Sequence, residues 1–131
     1  MAMRWLVDGM NLIGSRPSGW WRDRAGAMRE LVAELERFVD ATGDEVTVVF
    51  DGRPGSERPT PGGTARGRLW VDFAPGGRDA ADDKIVERVA QLRDSAGVSV
   101  VTSDKGLVER IRDSGVEVVP AGRFRRLLDR K

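Results

Sequence analysis

Apolar positions along this chain fall into two rhythms, one of short β-branched runs and one of three-and-four spacing. Arg4-Trp5-Leu6-Val7, Val46-Thr47-Val48-Val49-Phe50, Val98-Ser99-Val100-Val101-Thr102 and Val116-Glu117-Val118-Val119 are brief apolar runs that predict strands. A fifth run, Leu69-Trp70-Val71-Asp72-Phe73, puts Leu69, Val71 and Phe73 on one side and Asp72 on the other. That alternation suits an edge strand with one solvated face.

Between these runs the period changes. Met28, Leu31, Val32, Leu35, Phe38 and Val39 make one apolar stripe that stops at Thr42-Gly43, a helix followed by a C-cap glycine. Ile85, Val86, Val89 and Leu92 repeat the stripe up to Ala96-Gly97, and Leu107, Val108 and Ile111 do so up to Ser114-Gly115. Phe124, Leu127 and Leu128 mark a short last helix. Strands that alternate with helices imply right-handed crossovers. The predicted fold class is therefore α/β, a three-layer sandwich around a mainly parallel five-stranded sheet. At 131 residues without repeats the chain fits one domain, 1–131.

Composition narrows the chemistry. The chain has no cysteine and no histidine, which excludes disulfides, thiolate nucleophiles, imidazole acid/base catalysis and zinc sites built on Cys or His. The 22 Lys and Arg against 21 Asp and Glu leave the partner question to the placement of charge. Asp8 interrupts the only apolar run near the N-terminus, so no signal peptide is read there and a cytoplasmic location is the expectation. No stretch is apolar enough for a membrane span, and no Walker A or dinucleotide glycine pattern occurs, so neither a membrane nor a nucleotide cofactor is expected.

In open parallel sheets ligands bind beyond the carboxyl ends of the strands. Here those positions are acidic: Asp8 after the first strand, Asp51 after the second, Asp104 after the fourth, and Asp82 and Asp83 opening the helix after the edge strand. Singly each has a plain structural explanation, since Asp8-Gly9 and Asp51-Gly52 are turn dipeptides and Asp82 and Asp104 could cap helices. Gathered together, carboxylates repel and stay ionised only if something positive compensates. With oxygen donors alone available, Mg²⁺ or Mn²⁺ is the simplest compensation, and such ions serve phosphodiester hydrolysis.

At these same residues the chain resembles a known family. Asp8-Gly9-Met10-Asn11-Leu12-Ile13, Val49-Phe50-Asp51-Gly52, Ala81-Asp82-Asp83-Lys84-Ile85 and Val101-Thr102-Ser103-Asp104 resemble the YacP-like branch of the NYN domains, within the PIN-like nucleases. The likeness runs from about Arg4 to Val119. It implies strand order 3-2-1-4-5 and metal-dependent endoribonuclease activity. It also implies Asp8, Asp82 and Asp104 as metal ligands, with Asp51 and Asp83 as further candidates, and Asn11 and Ser103 as site residues. Asp82 is preferred to Asp83 because an apolar residue, Ile85, follows three positions later. Lys105-Gly106 stands where many broader NYN members carry another aspartate. The implied mechanism is in-line attack of a metal-activated water, with Asp51 positioning the water or another ion.

Substrate contacts are expected from a flexible basic loop at 52–68, rich in Gly and Pro and carrying Arg53, Arg58, Arg66 and Arg68; Arg53, Arg66 and Arg68 are the candidates. The alternative for that loop is a solubilising insertion. Trp20-Trp21, flanked by Arg16, Arg22 and Arg24, could stack bases or could pack on the core. RNA is the expected partner, and ribosome-associated mRNA follows only from the resemblance. Two other functions compete: an RNA-binding or ribosome-binding adaptor without turnover, and a different metal-dependent phosphoesterase or DNA nuclease.

Overall fold

In the computed structural model, residues 3–15, 19–52, 68–75, 80–92 and 97–130 are described. The strands are β1 (Arg4–Asp8), β2 (Glu45–Gly52), β3 (Leu69–Pro75), β4 (Val98–Val101) and β5 (Glu117–Val119). The helices are α1 (Gly9–Gly14), α2 (Arg24–Thr42), α3 (Ala80–Leu92), α4 (Lys105–Ile111) and α5 (Ala121–Asp129). All pairings are parallel and the order is β3-β2-β1-β4-β5, as the resemblance implied.

α2 shows why the periodic stripe was a sound guide. Its six apolar positions from Met28 to Val39 are the buried ones, Asp23 caps its start by accepting from the Gly26 amide at 2.9 Å, and Gly43 ends it at φ 77°, where a side chain would be strained. The cap places the start a turn earlier than the first apolar position. β3 is an edge strand as expected, with Leu69 and Val71 buried and Trp70 exposed.

Because β-strand side chains alternate, the sheet presents two faces to two layers of helix. Trp5, Val7, Val46, Val48 and Phe50 face α1, α2 and α5, packing on Leu12, Ile13, Leu35, Phe38 and Phe124. Leu6, Val49 and Val100 face α3 and α4 through Ala81, Ile85, Val89, Leu107 and Ile111. On the first face Phe124 lies 4.9 Å from Trp5 and 5.3 Å from Phe38 between ring centroids. Its complete burial makes it worth about 3–5 kcal/mol against alanine.

Two elements depart from the expectation. α1 follows β1 without a turn, and a 3-10 turn spans Trp20–Arg22. α1 is short, so no apolar repeat could announce it; it is held by the burial of Leu12 and Ile13. Gly9 is required there by close approach, since a Cβ at that position would stand 2.5 Å from the Phe50 ring. Smaller shifts occur elsewhere. β4 ends at Val101, so Thr102 lies just past the strand, and the last turn after α4 is 3-10 over Arg112–Ser114, closed by Gly115 at φ 82°. Among the described residues no helix is long and apolar enough to cross a membrane.

Candidate functional site

Parallel strands deliver their carboxyl ends to one edge, and the acidic positions arrive there with them. Asp8 is the last residue of β1 and pairs in register with Val49, so Asp51 stands two residues further along the neighbouring strand. Asp51 is thus inside β2, not after it. Asp82 and Asp83 lie in the first turn of α3, and Asp104 caps α4.

Asp8 is the centre of the arrangement. Only 5% exposed, it caps α1 by accepting from the Asn11 amide at 3.4 Å, while its other oxygen accepts from the Thr102 hydroxyl at 3.0 Å. Burial pushes its pKa up to about 6 from an ordinary 3.8. The hydrogen bonds from Thr102 and the Asn11 amide oppose that rise, and the charges of Asp82 and Asp104 add to it. Among the described residues that act on Asp8 in this way, none is basic.

Thr102, which the sequence offered as the end of a strand and within the family-like stretch Val101–Asp104 but with no role of its own, lies at the candidate site. Its hydroxyl donates to Asp8 and accepts from the Asp104 amide at 3.1 Å, tying two of the carboxylates together from a position 1% exposed. The usable signal was parity: Val100 packs on the α3 face with Leu6, so the next alternate positions, Thr102 and Asp8, meet. Arg24 was noticed only as a neighbour of the tryptophans. Its guanidinium donates to the Asp51 carbonyl at 2.8 Å, which places a cation at the acidic edge.

The remaining candidates divide. Asp51 accepts from the Ala81 amide at 2.9 Å and so caps α3 from another strand. Asp104 accepts from the Gly106 and Leu107 amides through one oxygen. Asp82 acts on Asp8 electrostatically, whereas Asp83 is exposed and pairs with Arg110 at 2.9 Å. Asn11 reaches the edge, but its side-chain oxygen accepts from the Ser103 amide at 2.8 Å, bracing α1 to the segment after β4. The Ser103 hydroxyl accepts from the Ala121 amide at 2.9 Å, a cap for α5, which Pro120 cannot supply.

Arg68 is not brought to this edge. It precedes β3, at the amino end of the parallel sheet, and its guanidinium donates to the Gly43 carbonyl at 2.9 Å beyond α2. Chain direction sends the two ends of the 52–68 segment, Gly52 and Arg68, to opposite edges of the sheet. Arg53, Arg58, Arg66 and most of that loop lie outside the described residues. Among the described residues no three carboxylates are grouped so as to hold a metal ion.

Solved structures share this fold. Rae1 (YacP) from Bacillus subtilis superposes with a TM-score of 0.74 at 24% identity, covering 99% of this chain and 75% of that one. A single-residue variant of the same protein gives 0.76 at 24%, covering 98% and 76%. A UPF0178 protein from Rhodospirillum centenum is 46% identical over 55 residues, 42% of this chain and only 32% of that relative's length. The family model of the YacP-like NYN domain matches residues 5–131, from β1 through α5. With the sheet order in agreement, the chain belongs to the YacP-like NYN domain family.

Proposed function

We propose that residues 1–131 act as a single PIN-like domain and a divalent-metal-dependent endoribonuclease, hydrolysing RNA phosphodiester bonds at the carboxyl edge of the sheet. The observation that carries this reading is Asp8: a buried carboxylate raised to about 6, with Asp82 and Asp104 adding negative potential. Family membership makes a nuclease the natural chemistry for such an edge.

The residues fit a hard cation in kind, since the charged side chains at the edge that can ligate a cation are all carboxylates. Asp8, Asp82 and Asp104 would hold Mg²⁺ or Mn²⁺. The ion, when bound, would neutralise charge on a phosphodiester and make water a better nucleophile. Asp104 commits one oxygen to α4 and leaves the other for this task. Asp51, anchored by the Ala81 amide, keeps its second oxygen to accept a proton or a hydrogen bond from water. Thr102 holds Asp8 and the Asp104 backbone at a fixed separation, so the two carboxylates do not drift apart as they exchange partners.

The test is single-turnover cleavage of a labelled unstructured RNA with Mn²⁺, Mg²⁺ or EDTA, comparing wild type with Asp8→Asn and Asp104→Asn. Asparagine caps helices as well as aspartate does, so both variants remove charge and keep the fold. Metal-dependent product that vanishes in both supports the reading; absence of product with no metal binding by calorimetry overturns it. DNA flaps and small phosphate esters under the same metal decide whether RNA is preferred. A non-cleaving RNA-binding or ribosome-binding adaptor is the second reading, favoured by the helix-capping duties of Asp8, Asp51 and Asp104.

A further inference from the structure

The paired tryptophans of residues 20 and 21 are not used by the acidic edge, and the fold treats them differently. Trp20 is half-buried against the core of α1 and α2, while Trp21 is 63% exposed, the most exposed of the large apolar side chains among the described residues. Their rings meet edge to face, with centroids 6.2 Å apart and planes at 82°. Trp20 therefore acts as the buried foot of an indole that is left in water. Leaving so large an apolar surface exposed forgoes burial energy that most tryptophans collect.

The segment is also held firmly. The Arg22 amide donates to the Gly19 carbonyl at 3.0 Å and the Asp23 amide to the Trp20 carbonyl at 3.1 Å, closing the 3-10 turn. Asp23 then caps α2, so its carboxylate is occupied with the Gly26 amide. Arg22 and Arg24 project from this turn, and both are exposed. The Arg22 guanidinium has no hydrogen-bond or ion-pair partner among the described residues, and that of Arg24 reaches the Asp51 carbonyl. A preorganised aromatic face thus stands beside two cations in sequence, one of which, Arg24, reaches the backbone of Asp51 at the acidic edge.

We propose that Trp21, Arg22 and Arg24 form a docking platform for single-stranded RNA, with Trp21 stacking an unpaired base and the arginines holding the flanking phosphates against the acidic edge. The inference rests on the nuclease reading for the direction of the strand, toward that edge. The chemistry is that of single-strand binders generally: base stacking on an aromatic face, with cations for the backbone. A duplex keeps its bases stacked on one another and would gain nothing from the indole. Charge supports the occupant too, because an anionic strand approaching the carboxylates needs a cationic flank, and Arg24 supplies one next to Asp51, with Arg22 two residues before it in the chain.

The experiment is equilibrium binding of a fluorescent unstructured RNA oligomer in EDTA, where turnover is absent, by wild type, Trp21→Ala, Trp21→Phe and Arg22→Ala. The expected result is roughly tenfold or greater weakening for Trp21→Ala, with recovery in Trp21→Phe. Arg22→Ala should weaken binding and lower the slope of log affinity against log salt by about 0.7. A hairpin duplex of the same composition should bind equally to wild type and Trp21→Ala. No binding by the wild type, or equal single-strand binding by wild type and Trp21→Ala, overturns the platform. Because no cleavage is read, binding lost in Trp21→Ala alongside an inert wild type keeps the platform and removes the nuclease. Cleavage by a wild type whose RNA binding ignores Trp21 does the reverse.

Discussion

The two ends of the one sheet treat charge in opposite ways. At the amino edge the charged groups find partners: Arg4 pairs with Glu45 at 3.6 Å, Asp44 accepts from the Trp5 indole at 2.9 Å and the Met3 amide at 3.0 Å, and Arg68 donates to the Gly43 carbonyl. At the carboxyl edge Asp8 is buried among hydroxyl and amide donors, and burial, with the charges of Asp82 and Asp104 adding to it, pushes its pKa up to about 6. One edge is arranged for stability; the other carries an electrostatic cost that a bound cation would offset. Costs of that kind concentrate where chemistry is done.

The largest effect that sharpens this contrast is on turnover. Asp8→Asn or Asp104→Asn should lower RNA cleavage by at least about a hundredfold in Mn²⁺, since even partners behind a metal ligand cost ten to a hundredfold. Next comes stability against pH. The folded value of Asp8 lies above the ordinary one, so the native state holds this proton more tightly than the unfolded chain does. Its contribution is fully present below pH 3.8 and lost as pH rises through about 6. The gap amounts to about 3 kcal/mol. Metal-free Asp8→Asn should therefore be more stable than wild type at pH 8 by up to that amount, with the difference fading near pH 3.5. Chemical denaturation in EDTA at both pH values reads it. Mn²⁺ at pH 8 should then stabilise the wild type and leave the variant unchanged.

Thr102→Val comes third. It keeps the shape and strips the hydroxyl from Asp8 and from the Asp104 amide, two groups with few alternatives, at an expected cost of about 1–3 kcal/mol in urea unfolding. It should also raise the Asp8 pKa further, because it removes the side-chain hydrogen bond that lowers it. The smallest effect belongs to the amino edge. Arg4 and Glu45 are both more than a third exposed, and Arg4→Ala should cost below about 1 kcal/mol, shrinking further in salt. An amino-edge loss as large as that at Thr102 would break the comparison.

Much of the architecture was legible because its signals are local. The stripe from Met28 to Val39, the glycine at 43 and the half-apolar run at 69–73 each act within a few residues, and the structure realises them as a helix, its end and an edge strand. The placement of the aspartates was legible for the same reason, Asp8, Asp51 and Asp104 lying at or near strand ends and Asp82 and Asp83 in the first turn of α3. α1 was not, since six residues carry too little periodicity; its helix depends on Leu12 and Ile13 finding the core and on Gly9 clearing Phe50.

What the sequence by itself determined is the alternation of strand and helix, the apolar faces, the absence of thiol and imidazole side chains, and the set of aspartates near strand ends and at the start of α3. The tertiary structure decided how those aspartates are used. Thr102 meets Asp8 across 94 positions of chain because the register sets Val7 beside Val101. Arg24 reaches Asp51 over 27 positions, Asp83 turns to Arg110 while Asp82 acts on Asp8, and Arg68 is carried to the far edge by the direction of β3. Periodicity and capping are written within a turn or two of chain, whereas the field on a carboxylate is summed over whatever folding packs around it.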